Sequence, residues 1–459
     1  MPHRFRWGIL LSTSIAFCAL LDVYSAIWIV ATAIITYFVG LGIARLQEKE
    51  KNAISKIILI ITLIVCFGAL YWVKYKEFTL SLIPGGNRFK DVIPSIAMPI
   101  GISFYIFQVT GYLIDVYCKR IPPIRHMGHY LLTVSFFSKF TQGPIVPVHD
   151  FAVQLLQPVK MDVLQMRRGA VTILLGLFKK VVIADRLAVV ADFVFANPVN
   201  ANGLSTAIGI VFYSFQLYTD FVGYTDIAVG SALMFGLDMP HNFNQPYLAR
   251  SIGEFWRRWH ITLSTWLKTY LYFPLGGSRV PIVRWCFNIL IVFGVSGLWH
   301  GAALTFVVWG LLHGIYQIIG KITQGVRTSF KEKMIGKDTW ASSFISVFCT
   351  FILVAIAWTF FRALTLTDAC YMLWNVVSGD WSFNLAQLGV RIEEWYLSLI
   401  LIGVTVVTDI VSDRVILVDG IERQKLPVRW LNYLVLLFVL ILFGMYGSLA
   451  ADSFIYVSF

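Results

Sequence analysis

Apolar windows long enough to cross a bilayer recur along almost the whole chain, and they constrain the fold more than any motif does. A hydrocarbon core is about 30 Å thick, and one helical crossing takes about 20 apolar residues. Windows of that kind run over roughly 7–22, 25–44, 54–73, 96–117, 130–147, 168–190, 205–235, 285–303, 304–320, 341–361, 395–411 and 428–450. With 58% of the 459 residues hydrophobic and 14% charged, a soluble enzyme is excluded. The pattern predicts an all-α polytopic membrane protein of about ten or eleven crossings, with further re-entrant and interfacial helices. The largest polar connections, 74–94 and 363–394, are too short for a soluble domain. One membrane domain over 1–459, with the motifs gathered in a core at 96–320, is the simplest organisation.

A net charge of +12 would suggest nucleic acid in a soluble chain. Here Lys and Arg cluster in loops between apolar runs, as the positive-inside rule distributes them, so no nucleic-acid partner is assigned. The basic loops 321–337 (Lys321, Arg327, Lys331, Lys333, Lys337) and 414–429 (Arg414, Arg423, Lys425, Arg429) are two crossings apart and are expected in the cytoplasm. The segment between them, 363–394, carries Asp368, Asp380, Glu393 and Glu394 against Arg391, as an external loop would. The C-terminus then falls outside. The first apolar segment resembles a secretory signal but continues past Asp22 into another apolar run, so an uncleaved helix is expected. Six scattered cysteines without CxxC spacing give neither a metal site nor a disulfide framework, and read as small buried hydrophobes.

Two stretches carry chemistry. From Arg250 to Tyr272, charges alternate with Phe255, Trp256, Trp259, Leu263, Trp266 and Tyr270, the pattern of an amphipathic helix in a membrane interface. Glu254 is spaced to reach both Arg257 and Arg258. Beside these arginines, His260 is suited to orient or bind an anionic acyl donor. Pro274 and the Gly276–Gly277 pair then end the helix.

The second stretch holds two near copies, Gly297-Leu-Trp299-His300-Gly301 and Gly310-Leu-Leu-His313-Gly314. GxxxG spacing explains the glycines as helix packing but leaves the histidines unexplained, and intramembrane histidines are functional by default. On one continuous helix, thirteen residues turn by about 220°, which would put the two imidazoles on different faces. They converge only if the chain breaks between them, and Gly301 offers the break. His300 then lies about 24 Å from Arg284, deep in the membrane, and His313 about 12 Å from the inner face at Lys321. A neutral imidazole there is suited to take a proton from a hydroxyl as it attacks a thioester.

A third cluster, Gln216-Leu-Tyr-Thr-Asp220-Phe-Val-Gly-Tyr-Thr-Asp226, places two acids inside an apolar helix, where they must pair. His or Arg from the stretches above are the expected partners. Asn242 and Asn244, after Pro240, read as turn chemistry.

The string FVGYTDIAVGSALMFGLDMPHNFNQPYLARSIGEFWRRWHITLSTWLKTYLYFPLGGSR, followed by GLWHGAALTFVVWGLLHG, resembles the membrane-bound O-acyltransferase superfamily, and within it the bacterial alginate and peptidoglycan O-acetylation branch. PIGISFYIFQVTGYLIDVY at 99–117, QGPIV at 142–146, GLFKKVVIADRLA at 176–188, TFFRA at 359–363 and the terminal FIYVSF extend the likeness. FWxRWH and WHG are shared with D-alanyl transfer proteins of lipoteichoic acid, while LYFPLGGSR favours the O-acetylation branch. Relatives usually begin one apolar helix before the segment matching Arg4 to Arg45.

The resemblance implies an acyltransferase with a central tunnel joining a cytoplasmic donor to an external acceptor and His300 as its invariant histidine; depth and residue type make His300 the candidate catalytic base. His313 is a second catalytic candidate. His260, Arg257, Arg258, Asp220, Asp226, Gln216, Asn242 and Trp299 are donor-binding or supporting candidates. It further implies a separate extracytoplasmic SGNH-type acetyltransferase or esterase as partner; no bound cofactor or metal is expected, the expected donor is acetyl-CoA or another acyl thioester, and the composition puts membrane lipid around the chain. The expected location is the bacterial inner membrane, and alginate, cellulose, peptidoglycan and other exported glycans are compatible acceptors. A transporter or flippase, and a scaffold of a polysaccharide-secretion complex, are the competing readings.

Overall fold

The computed structural model describes residues 3–84, 96–157, 162–335, 339–411 and 414–447, and within them the regular structure is helical, with no strand. The terminal FIYVSF and residues 85–94 of the 74–94 connection lie outside these residues. Among the described residues, seven helices are long and apolar enough to cross a membrane, and the chain is a multi-pass membrane protein. The all-α polytopic architecture expected from the sequence is present, and not every apolar window is a long helix of that kind. Some apolar windows are short helices, and others carry buried polar residues that lower their hydropathy.

The chain divides into two compact units, one of Met1–Ala170 and Ala228–Pro240, the other of Val171–Ile227 and His241–Phe459. The first unit contains α1 (His3–Leu21), α2 (Val23–Glu48), α3 (Asn52–Leu70), α4 (Lys76–Leu82), α5 (Ile102–Tyr117), α6 (Met127–Ser135), α7 (Val148–Leu156) and the start of α8 (Val163–Leu177). Asp22 caps α2, its carboxylate accepting from the backbone N–H groups of Tyr24 and Ser25 at 3.2 and 2.9 Å. These satisfy two of the helix's four orphan donors. Helix α5 is buried along most of its length and is central to this unit. Around it Tyr37, Tyr112 and Tyr130 pack ring on ring, and the Tyr130 hydroxyl donates to Thr36 at 2.9 Å. The 130–147 window is not one crossing: α6 stops at Ser135, and an irregular segment runs on to α7.

The second unit holds α9 (Asp185–Ala196), most of α10 (Gly203–Met234), α11 (Ile252–Arg258), α12 (Ile261–Leu267), α13 (Ile282–His300) and α14 (Leu304–Ile322). It continues with α15 (Gln324–Ile335), α16 (Trp340–Arg362), α17 (Leu366–Ser378), α18 (Ile392–Val411), α19 (Arg414–Glu422) and α20 (Leu426–Phe443). Thr339 and Thr365 cap α16 and α17 by accepting from the N–H groups of Ser342 and Asp368. Arg186 on α9 pairs with Glu394 at the start of α18 and donates to the carbonyl of Phe443 at the end of α20, at 2.7 Å. One guanidinium thereby ties three helices.

The α13–α14 hairpin is the tightest packing in the unit that bears on function. A methyl group on Gly297 would lie 2.2 Å from the carbonyl oxygen of Phe306, and one on Gly310 would lie 2.2 Å from that of Phe293. The two backbones therefore touch where these glycines face each other. Between lipid-solvated helices no hydrophobic effect drives association, so this close van der Waals contact carries the stability. Of the cysteines, Cys18 and Cys66 are buried, whereas Cys118, Cys349 and Cys370 are exposed. The expectation of buried cysteines therefore holds only in part, because apolar windows also present faces to lipid.

Candidate active site

The break expected at Gly301 is present. Helix α13 ends at His300, residues 301–303 are non-helical, and α14 returns from Leu304. His300 and His313 both become fully buried, at 2% and 0% exposure. They do not meet ring on ring; both pack on Trp309, with centroid distances of 5.0 Å from His300 and 5.2 Å from His313. His300 also packs on Trp299 and Phe361 at 4.9 and 5.3 Å. His313 stacks parallel to Phe255 at 6.0 Å and meets Trp256 edge-on at 5.1 Å. Neither of its ring nitrogens has a hydrogen-bond partner in the protein. The two histidines thus have different settings: one ends a helix at a chain reversal, and the other lies within an aromatic enclosure.

The segment expected as one amphipathic helix is two. α11 stops at Arg258, and His260 adopts a left-handed conformation, φ +42°, before α12 begins. A non-glycine residue in this region costs about 1–3 kcal/mol and persists only where its surroundings enforce it. The enforcement comes from Asn242. Its backbone carbonyl accepts from the N–H of Ile261 at 2.9 Å, and its Oδ1 accepts from Thr262 Oγ1 at 2.6 Å and Thr262 N–H at 3.3 Å. A further strand-like contact joins Asn244 N–H to the Arg258 carbonyl at 2.9 Å. The turn chemistry read at Asn242 and Asn244 therefore extends to the facing segment.

The reversal separates His260 from the arginines. Arg257 is exposed, while Arg258 pairs with Glu254 at 2.7 Å and donates to the Gln245 carbonyl. Glu254 also accepts from the Arg250 N–H, and Ser251 caps the helix. His260 is completely buried against Phe221, with centroids 4.9 Å apart, and against Trp299 at 6.0 Å. Its imidazole lies 6.5 Å from that of His300. Burial without a charged neighbour pushes its pKa from 6.5 down to about 3, so the ring is neutral at physiological pH. The expectation that His260 sits beside Arg257 and Arg258 is thus corrected: its near neighbours are aromatic rings and His300.

The acids of α10 pair with lysines that the sequence reading did not name. Lys180 Nζ lies 2.7 Å from Asp220 and 2.8 Å from Asp185, and Lys179 Nζ lies 2.6 Å from Asp226. The lysines stand at the π-helical turn Phe178–Ala184 between α8 and α9. One turn earlier Gly176 meets Gly223 of α10, where a methyl group on either would lie 2.7 Å from the other's carbonyl oxygen. This close approach brings the short carboxylates within reach of the lysine stems. Gln216, one turn before Asp220, is buried on the same helix.

Sequence reading did not place Trp309 or the two lysines at the site, and it took Trp256 as part of an interfacial amphipathic helix. The signal for Trp309 was present: it stands four residues before His313, on the same face of a helix. Among the described residues no group of three His, Cys, Asp or Glu side chains is placed to hold a metal ion.

Comparison with known proteins places this geometry in a family. The family model for membrane-bound O-acyltransferases matches residues 120–361, which include every residue of the site. The chain is 36% identical over 392 residues to a probable alginate O-acetylase of Pseudomonas syringae pv. tomato, covering 83% of this chain and 72% of that protein. A peptidoglycan O-acetyltransferase of Helicobacter pylori is 35% identical over 397 residues, covering 80% and 73%. A teichoic acid D-alanyltransferase of Streptococcus thermophilus is 26% identical over 290 residues, covering 57% and 68%. A buried histidine pair on a broken helical hairpin, in a chain this similar to O-acetyl-transferring proteins, has one consistent reading: the chain belongs to the membrane-bound O-acyltransferase family and is an O-acyltransferase.

Proposed function

We propose that the chain takes an acetyl group from a cytoplasmic thioester such as acetyl-CoA and delivers it across the bacterial inner membrane for O-acetylation of an exported or cell-wall polysaccharide, with His300 as general base. The observation that carries this reading is the position of His300 at the tip of the α13–α14 reversal, buried among rings and facing the neutral His260. The names of the alginate and peptidoglycan relatives support acetyl over other acyl groups and a glycan as final acceptor.

In the proposed step, a hydroxyl oxygen attacks the thioester carbonyl carbon while His300 takes the hydroxyl proton. The tetrahedral intermediate collapses, the C–S bond breaks, and His300 returns the proton to the departing thiolate. The new C–O bond is an ester, and the histidine ends as it began. Such base catalysis contributes about 10²- to 10⁴-fold. Trp299 and Trp309 hold the imidazole by ring contacts at 4.9 and 5.0 Å and exclude water that would hydrolyse the thioester. A tunnel would bring the donor to His300 from the cytoplasm, where exposed Arg257 is suited to the donor's phosphates. His313, enclosed by aromatic rings, is assigned to supporting the wall that bears Trp309. The hydroxyl belongs to the polymer or to a partner of SGNH type that carries the acetyl group onward.

The test is deletion of the chain followed by mass spectrometry of O-acetyl esters on each envelope and exported glycan. Loss from one polymer, restored by re-expression, supports the proposal and names the acceptor. Unchanged acetylation of every polymer overturns it in favour of transport or scaffolding.

A further inference from the structure

Asn242 is fully buried and lies on the loop that follows α10, yet its hydrogen bonds concentrate on the two residues after His260. One side-chain oxygen accepts both the hydroxyl and the N–H of Thr262, and its own backbone carbonyl accepts the N–H of Ile261. These contacts start α12 immediately after a residue with φ +42°. A β-region or helical φ at residue 260 would change the direction in which its imidazole leaves the backbone. The left-handed turn instead brings the ring to 6.5 Å from His300 and into edge contact with Phe221 and Trp299.

We propose that Asn242 and Thr262 form a clamp that positions His260 toward His300, so that Asn242 is a positioning residue for acyl transfer acting through the His260 turn. This rests on the proposed role of His300. The clamp acts through the backbone. Its oxygen sets a backbone angle, the angle sets an imidazole, and the imidazole forms one side of the space in front of His300. A displacement of about 1 Å in such a group lowers rates by roughly a hundredfold.

The experiment uses the full-length protein in its own membrane, with O-acetyl esters per glycan repeat measured by mass spectrometry and normalised to membrane level. Four variants are compared: Thr262→Val, which removes the hydroxyl donor at nearly constant volume; Thr262→Ser, which keeps it; Asn242→Ala, which removes the acceptor; and His300→Ala. Transfer is expected to fall about threefold to tenfold in Thr262→Val, to return to near wild type in Thr262→Ser, and to fall about tenfold to a hundredfold in Asn242→Ala. Equal activity of Thr262→Val and Thr262→Ser at matched membrane levels overturns the clamp. If Asn242→Ala fails to accumulate, the threonine pair decides alone. Retained transfer in His300→Ala overturns the underlying reading instead, so the two failures are distinguishable.

Discussion

The imidazoles of His260 and His300 lie 6.5 Å apart, and the indole of Trp299 packs on both, at 6.0 and 4.9 Å. One histidine reaches this position through a left-handed turn and the other through the end of a helix, so the pairing depends on two separate interruptions of helical structure. The first is held by Asn242 from the loop after α10, and the second is the extended backbone at Gly301.

His260 gives a pH prediction with a definite sign. Its folded pKa, about 3, lies below the ordinary 6.5, so the unfolded chain binds the extra proton. Stability from this group is therefore fully present above pH 6.5 and is lost as pH falls toward 3, by about 1.4 kcal/mol per pH unit. Thermal unfolding of the detergent-purified protein is expected to drop between pH 7 and pH 5, and less steeply in His260→Asn. Parallel pH curves for the two proteins would contradict the assignment.

The acids of α10 were legible in sequence as residues that must pair, but their partners were not. Nothing in the spacing of Lys179 and Lys180 announces that a π-helical turn and the Gly176–Gly223 approach bring them onto Asp226 and Asp220. The break at Gly301 was legible, because a continuous helix would have turned His313 away from His300. Trp309, on which both histidines pack, was legible as a neighbour of His313 on one helix face but not as a partner of His300, since periodicity places a residue on a face without naming what that face meets. The turn at His260 was hidden for a different reason: amphipathic spacing runs unbroken from Arg250 to Tyr272, and the left-handed φ is imposed by Asn242 from a distant loop.

Lys180 is held between Asp185 and Asp220, and removing it leaves two carboxylates facing each other inside the unit. Lys180→Met is expected to cost about 3–5 kcal/mol and to reduce the amount of folded protein in membranes sharply. Adding Asp185→Asn and Asp220→Asn should recover part of that loss, read as the monodisperse fraction on size-exclusion chromatography. A Lys180→Met protein as abundant and monodisperse as wild type would refute the pairing.

Gly310 meets the Phe293 carbonyl so closely that even a methyl group needs the helices to part. Gly310→Ala is expected to destabilise by about 1–3 kcal/mol and to lower acyl transfer as His300 shifts with α13. Gly42→Ala on α2, where a methyl group meets nothing within 4 Å, serves as the neutral comparison. Equal melting temperatures for the two variants would contradict the contact.

As the proposed general base, His300 removes the proton from the attacking hydroxyl. The most direct test compares O-acetyl content of the modified glycan in cells carrying wild-type protein and His300→Ala at matched membrane levels. Acetylation is expected to fall about 10²-fold or more with the variant still folded and membrane-inserted. Acetylation at the wild-type level would show that His300 is not the base.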